Sequence, residues 1–142
     1  MKTLILATVL GTLATSTLAD VIVQDAWARA TVPGQPVGAI YMKISSRVQT
    51  TLAHAETDVA KEVQVHNMHL HDDVMKMREQ GQIDIPAGKL IDLAPGGTHL
   101  MMLGLKRQLT AGEDVAVKLT FIDAKKVEST TVIHVPVRPL RK

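Results

Sequence analysis

Histidine and methionine are the residues of this chain whose side chains and spacing could do metal chemistry. The 142 residues include six histidines and seven methionines but no cysteine. Ten residues separate His66 from Met77. Twenty-one more lead from Met77 to His99, and a single residue separates His99 from Met101. Thioether sulfur is a soft, uncharged donor and imidazole is a borderline one, so these four side chains together could form a soft-metal site.

Such a donor set has a defined preference among metal ions. Two thioethers with two imidazoles disfavour Mg²⁺ and Ca²⁺, which prefer oxygen ligands, and disfavour Zn²⁺ relative to Cu(I). Methionine also forms no disulfides, so it is a safer soft ligand than cysteine in an oxidising compartment. Because imidazole must be neutral to bind a metal, the affinity should hold at neutral pH and fall in acid.

The short spacing between His99 and Met101 is the most informative part of the pattern. Side chains two residues apart in a β-strand project from the same side, so His99 and Met101 can point at one ion while Leu100 and Met102 point into the core. A Pro-Gly-Gly turn at 95–97 comes just before this pair. It would place the pair at the end of a strand, where an ion can enter.

The other half of the set is predicted to lie on a hairpin whose register remains open. The two central turn residues are either 71–72 or 72–73. The first register places His66 opposite Met77, and the second places Met68 there. Directly opposed residues have Cβ atoms about 4.5–5.5 Å apart, so either register brings a histidine or a methionine beside Met77.

The remaining histidines and methionines have simpler interpretations. Methionine often fills gaps in a core, and histidine is often a solvated polar residue. His69 and His71 flank the hairpin turn and are expected to be exposed, with a looser Cu(II) site as the alternative. Met68 and Met75 stay open between packing and a reserve role at the metal. We assign core packing to Met42 and Met102, and solvated surface to His54 and His134.

The elements that must position these residues are short β-strands. Hydrophobic residues make up 46% of the chain and charged residues 21%, which is enough for one folded core. No 3.6-residue periodicity is sustained over three turns, and short β-like runs alternate with proline and glycine turns. This pattern predicts a single all-β domain, an antiparallel two-sheet β-sandwich of about eight or nine short strands.

Composition also excludes several classes of function. Three aromatic residues and no run of lysine or arginine give little surface for stacking bases or sugars, so we expect no nucleic-acid or carbohydrate partner despite a pI near 9.0. The lack of cysteine excludes thiol redox chemistry, and a zinc hydrolase would use three histidine or carboxylate ligands. We therefore predict that the protein is not an enzyme.

The first nineteen residues have the layout of a secretory signal peptide. Lys2 precedes an uncharged apolar stretch at 4–13, and small residues lead to Ala19. The stretch is short for a transmembrane anchor, which needs about 20 apolar residues. We predict cleavage after Ala19, a mature domain of residues 20–142, a periplasmic location and no membrane insertion after cleavage. An uncleaved anchor is the alternative.

At these residues the chain resembles the PCuAC family of periplasmic copper chaperones. The family signature is His, ten residues, Met, twenty-one residues, His-x-Met, and all four positions match. The surrounding sequence is similar as well. The similar segments are 74–78, 85–88 and 95–105, with weaker likeness at 27–29 and 39–41. Segment 45–52 departs from the family pattern, and the chain's last residues do not form the His- and Met-rich tail that some relatives carry, so we expect no second copper site there.

The resemblance implies a fold, a ligand set and a function. The fold is a cupredoxin-like Greek-key β-sandwich. One Cu(I) per chain is held at an exposed position by His66, Met77, His99 and Met101. The copper is then passed by ligand exchange to an apo acceptor protein, expected to be a cytochrome c oxidase subunit whose copper site is being assembled. The alternative is a buffering or resistance protein that binds the same ion without a dedicated acceptor.

Overall fold

Ten β-strands form the fold in the computed structural model, which describes residues 21–71 and 74–140, with 69–71 and 75–79 described for their backbone only. The predicted signal peptide at 1–19 and its cleavage site lie outside the described residues. Ten strands are one more than the upper expectation, because two runs of only three residues also pair. The strands are β1 (Val21–Arg29), β2 (Val37–Ser46), β3 (Thr50–Thr57), β4 (Ala60–His71), β5 (Val74–Glu79), β6 (Ile83–Ile85), β7 (Ile91–Leu93), β8 (His99–Leu105), β9 (Asp114–Asp123) and β10 (Glu128–Arg138).

The strands pair in the order β5-β4-β8-β2-β1-β10-β9-β3-β6, with β7 also paired to β2. One layer contains β5, β4, β8, β2, β7 and β1, and the other contains β10, β9, β3 and β6. Every pair is antiparallel except β1 with β10, which are parallel and join the two layers. The predicted all-β sandwich is thus confirmed, with this parallel pair as the exception to its antiparallel pattern. No helix able to cross a bilayer is found in the portion of the chain that the structure describes.

The core lies between the two layers and follows from alternation along each strand. In β9 the alternate residues from Val115 to Phe121 are almost fully buried. In the facing layer, Met42, Leu100 and Met102 are buried to a similar degree. The assignment of Met42 and Met102 to the core is therefore confirmed. Since side chains of a strand alternate between its two sides, the residues between these positions face away from the core.

The segment that departs from the family pattern forms a tight connection between two strands. Strand β2 continues to Ser46 and β3 begins at Thr50, so only residues 47–49 form the turn. The backbone N–H of Val48 donates to Oγ of Ser46 over 3.3 Å. The segment with the departing sequence therefore connects the two layers and belongs to none of β4, β5 and β8.

Candidate metal centre

The hairpin of β4 and β5 adopts the second of the two predicted registers. Met68 is the Cα partner of Met77, and His66 is the Cα partner of Glu79. The two residues between the strands, 72–73, lie outside the described residues. The side chains of Met75, Met77, His69 and His71 also lie outside the described part, so the predicted role of Met77 stays a prediction based on its register position.

Strand β8 lies on the other side of β4 and brings the second half of the set next to the first. His66 is the Cα partner of His99, and Gln64 is the Cα partner of Met101. The two imidazole ring centroids are 6.2 Å apart. Because opposed residues of neighbouring strands project from the same side, His66, His99 and Met101 share one side of the sheet.

The predicted alternation in β8 is observed. Leu100 and Met102 are fully buried between the layers, whereas Met101 is only partly buried. His99 is 4% exposed although it lies on the outer side of its sheet. Neighbouring side chains cover it, including Tyr41, whose ring centroid is 5.9 Å from that of His99. Burial of this kind restricts the imidazole to a single orientation.

A backbone contact sets the tautomer of His99. Nδ1 lies 3.0 Å from the carbonyl oxygen of Gly97. A carbonyl can only accept, so Nδ1 carries the proton and Nε2 carries the lone pair that a metal needs. Metal-binding histidines commonly donate their second ring nitrogen to a backbone carbonyl in this way, which fixes both ring orientation and tautomer. The Pro-Gly-Gly turn thus supplies the acceptor that orients His99.

His66 is held by a chain of polar side chains along β4. Nε2 of His66 lies 2.9 Å from Oε1 of Gln64, and Nε2 of Gln64 donates to Glu62 over 2.9 Å. Because the Glu62 carboxylate fixes the amide orientation of Gln64, the amide oxygen faces His66 and accepts from its Nε2. Binding of a metal through Nε2 of His66 therefore requires Gln64 to release that nitrogen.

A cavity of about 290 Å³ opens beside these residues. Its lining includes Met68, His99 and Met101, together with Tyr41 and Arg29. Sequence analysis left Met68 open between packing and a reserve role, and the structure places it at the cavity with one imidazole and one thioether of the predicted set. The alternation from His66 to Met68 along one strand was the signal for this position.

The donor groups that meet here suit a soft ion. Around the cavity the structure brings together imidazole nitrogen and thioether sulfur, which favour Cu(I) over ions that prefer oxygen. Within the part whose side chains are described, no cluster of three histidine, aspartate or glutamate side chains occurs. The other histidines behave as predicted where they are described: His54 and His134 are exposed, and His54 contacts Glu56 over 2.9 Å.

Comparison with known proteins identifies the family and the fold of the chain. The family model described as "Putative lipoprotein LpqE-like" matches residues 21–137. "Putative lipoprotein Lxx21020" of Leifsonia xyli subsp. xyli is 33% identical over 117 residues, which are 82% of this chain and 68% of that protein.

Two solved structures have similar folds. The copper-bound PCuAC domain from PmoF2 has a TM-score of 0.67 at 21% identity, covering 85% of this chain and 94% of that one. The solution structure of CuI-DR1885 from Deinococcus radiodurans has a TM-score of 0.60 at 26% identity, covering 88% of this chain and 81% of that one. The predicted resemblance and the fold are thereby confirmed, and the chain belongs to the LpqE-like family, a family of the PCuAC type.

Proposed function

We propose that this protein is an exported carrier that binds one Cu(I) and passes it to another protein without catalysing a reaction. The observation that supports this most directly is the pairing of His66 with His99 on adjacent strands, next to a cavity lined by Met101 and Met68. The similar protein DR1885 has been solved in a form that carries Cu(I). The proposed ligands are His66, Met77, His99 and Met101.

The geometry suits release of the ion as well as binding. Thioether and imidazole ligands are neutral, so they bind Cu(I) without adding negative charge that would hold the cation more strongly. The cavity opens to solvent beside Met101, so the ligands of an acceptor can approach while the ligands of the donor leave. Ligand exchange of this kind needs both sets of ligands within bonding reach of the same ion.

The proposed acceptor is a copper site of a respiratory oxidase, expected from the family resemblance to be that of cytochrome c oxidase. A protein that buffers copper without a dedicated acceptor is the second candidate, since its binding site would be the same. The two differ in kinetics: a carrier exchanges copper with its acceptor faster than copper dissociates into solution, and a buffer does not.

The proposed location is the periplasm, after cleavage following Ala19. The family and its relative carry the word lipoprotein in their names. A thioether-linked lipid requires a cysteine, and the 142 residues contain none. We therefore favour cleavage by a signal peptidase that does not require a lipid-modified cysteine. The test is the N-terminal residue of the protein recovered from the periplasm, which should be Asp20.

A titration under reducing conditions tests the binding proposal. In competition with a chromogenic chelator, one Cu(I) should bind per protein molecule. The copper-edge X-ray absorption spectrum should show both sulfur and nitrogen neighbours of the copper. Transfer is then measured by mixing the loaded protein with the apo copper domain of an oxidase. Exchange that depends on acceptor concentration supports the carrier, whereas release at a rate independent of the acceptor supports the buffer. A spectrum without sulfur neighbours would contradict the proposed ligand set.

A further inference from the structure

A row of aromatic and cationic side chains in contact with one another borders the candidate metal centre. The rings of Trp27 and Tyr41 have centroids 4.6 Å apart. The guanidinium carbon of Arg138 lies 5.0 Å from the Trp27 ring centroid, and that of Arg29 lies 5.6 Å from the Tyr41 centroid. We call these four residues the arginine–aromatic row. It adjoins the metal centre because Tyr41 also contacts the ring of His99.

The two arginines are brought together by the parallel pair that joins the layers. Arg29 of β1 and Arg138 of β10 are Cα partners, so their side chains leave the sheet next to each other. Both are exposed. Like charges at partner positions in a sheet are destabilising, so this pair does not stabilise the fold by itself.

Carboxylate partners for the two arginines are not found among the described side chains. The described ion pairs within 4.0 Å involve other cations, such as Lys43 with Asp25 and Arg107 with Glu113. Each guanidinium lies over its ring within the range of a cation–π interaction, which helps to hold it in place. The N–H groups of a guanidinium match the two oxygens of a carboxylate.

A cavity of about 500 Å³ lies along the row. It is lined by Trp27, both arginines, Pro95 and Leu140, with Pro139 beside them. Arg29 and Pro95 also line the cavity of the metal centre, so the two cavities adjoin. A molecule bound at the row would therefore lie next to His99 and Met101.

We propose that the arginine–aromatic row is a docking surface for an acceptor protein whose own surface presents carboxylates beside its copper ligands. Two exposed cations that have no carboxylate partner among the described side chains would select an acidic partner by charge complementarity, and the two adjoining rings supply an apolar base for contact. Carboxylates on Arg29 and Arg138 would hold the partner's ligands at the adjoining cavity. The role in copper transfer rests on the proposed function, but binding of an acidic partner does not.

The binding test needs no copper. The probe is a synthetic peptide with four glutamates flanking a Cys-x-x-Cys pair, and its control carries four glutamines instead. We expect the acidic peptide to shift the NMR signals of the Arg29 and Arg138 Nε–H groups and of the Trp27 indole, and to change the fluorescence of Trp27, the single tryptophan. Added salt should weaken this binding because exposed charges are screened.

The variant R29Q/R138Q removes both charges, and R47Q/K125Q is its matched control. Arg47 and Lys125 are exposed and lie in the turns after β2 and after β9. We expect affinity for the acidic peptide to fall about tenfold or more in R29Q/R138Q and less than twofold in the control, in line with the strength of charge-assisted hydrogen bonds. If the double variant is unstable, the single variant R138Q is measured instead, together with the NMR signals that the acidic peptide shifts in the unchanged protein.

Measurement of copper transfer then distinguishes the proposed docking surface from the proposed carrier function. The rate of Cu(I) transfer to the acidic peptide should fall about threefold in R138Q, whose side chain does not line the cavity of the metal centre, while the Cu(I) affinity of this variant is unchanged. Equal peptide affinity in both double variants would overturn the docking surface and leave copper binding untouched. Displacement of the peptide by an equal concentration of inorganic phosphate would indicate a small-anion site. Arginine-dependent binding to anionic lipid vesicles without peptide binding would indicate a membrane surface, and either result overturns the proposal.

Discussion

Replacing Met101 with leucine separates the role of its sulfur from the role of its volume. Leucine has nearly the same volume, and exchanges that conserve volume usually cost less than about 1.5 kcal/mol of unfolding free energy. Met101 is only partly buried, at the edge of a cavity, so the cost should lie in the lower part of that range. Leucine, in contrast, has no sulfur atom that could bind the metal.

The expected loss of Cu(I) affinity is about a hundredfold. Removing a group that only supports a metal ligand costs about 10–100-fold in affinity, and removing a ligand itself should reach at least the upper end. A hundredfold change corresponds to about 2.8 kcal/mol. The predicted change in binding free energy therefore exceeds the predicted change in stability.

The next residue along the chain provides a matched control. Met102 is fully buried on the opposite side of the same strand, so Met102→Leu should change Cu(I) affinity less than about twofold. Both variants are compared by anaerobic competition with a chromogenic chelator, and their unfolding free energies by denaturant titration. Equal Cu(I) affinity in the two variants, with both folded, would refute the assignment of Met101 as a ligand.

Three further predictions concern the cavity, the core and the loop before β9. Met68→Leu should weaken Cu(I) binding by up to about tenfold because Met68 lines the cavity. If its Cu(I) affinity equals that of the core variant Met42→Leu, Met68 does not contribute to Cu(I) binding. Leu100→Ala should lower the unfolding free energy by about 2–5 kcal/mol, because the side chain is fully buried between the two layers; a loss under about 1 kcal/mol in denaturant titration would contradict this. The backbone N–H of Thr110 donates to Glu113 over 2.9 Å and, with Arg107 adding to the effect, holds the pKa of Glu113 below its usual value of 4.5. A carboxyl group whose pKa is lowered by folding stabilises the fold at neutral pH, where it is ionised. Glu113→Gln should therefore have a lower unfolding free energy than the parent protein at pH 7, and the difference should shrink as the pH falls through the folded-state pKa. A difference in unfolding free energy that is independent of pH would contradict the reasoning.

The candidate donor residues could be proposed from the chain alone because their arrangement depends on local regularities. Side chains in a strand alternate with a period of two, so the separation of His99 and Met101 places both on one side without knowledge of the fold. The same rule predicts that Met102 packs in the core, where the structure places it. Apolar residues at alternate positions also indicate where the core lies.

The relative position of strands could not be predicted in this way. The two hairpin registers differ by a single turn residue and both keep a His or Met beside Met77, so local preference does not decide between them. The pairing of His66 with His99 joins residues far apart in the chain. Pairing of this kind is decided by how the apolar faces of whole strands pack together.

The sequence by itself determined the candidate soft donors and the strands that carry them, since residue type and alternation are properties of the chain. Tertiary structure alone decided which of those donors meet, and it also placed Arg29 beside Arg138. These two residues are far apart in the amino-acid sequence and become neighbours only because the parallel strands β1 and β10 pair. Strand order is set by the packing of the shared core, and no spacing in the sequence encodes it directly.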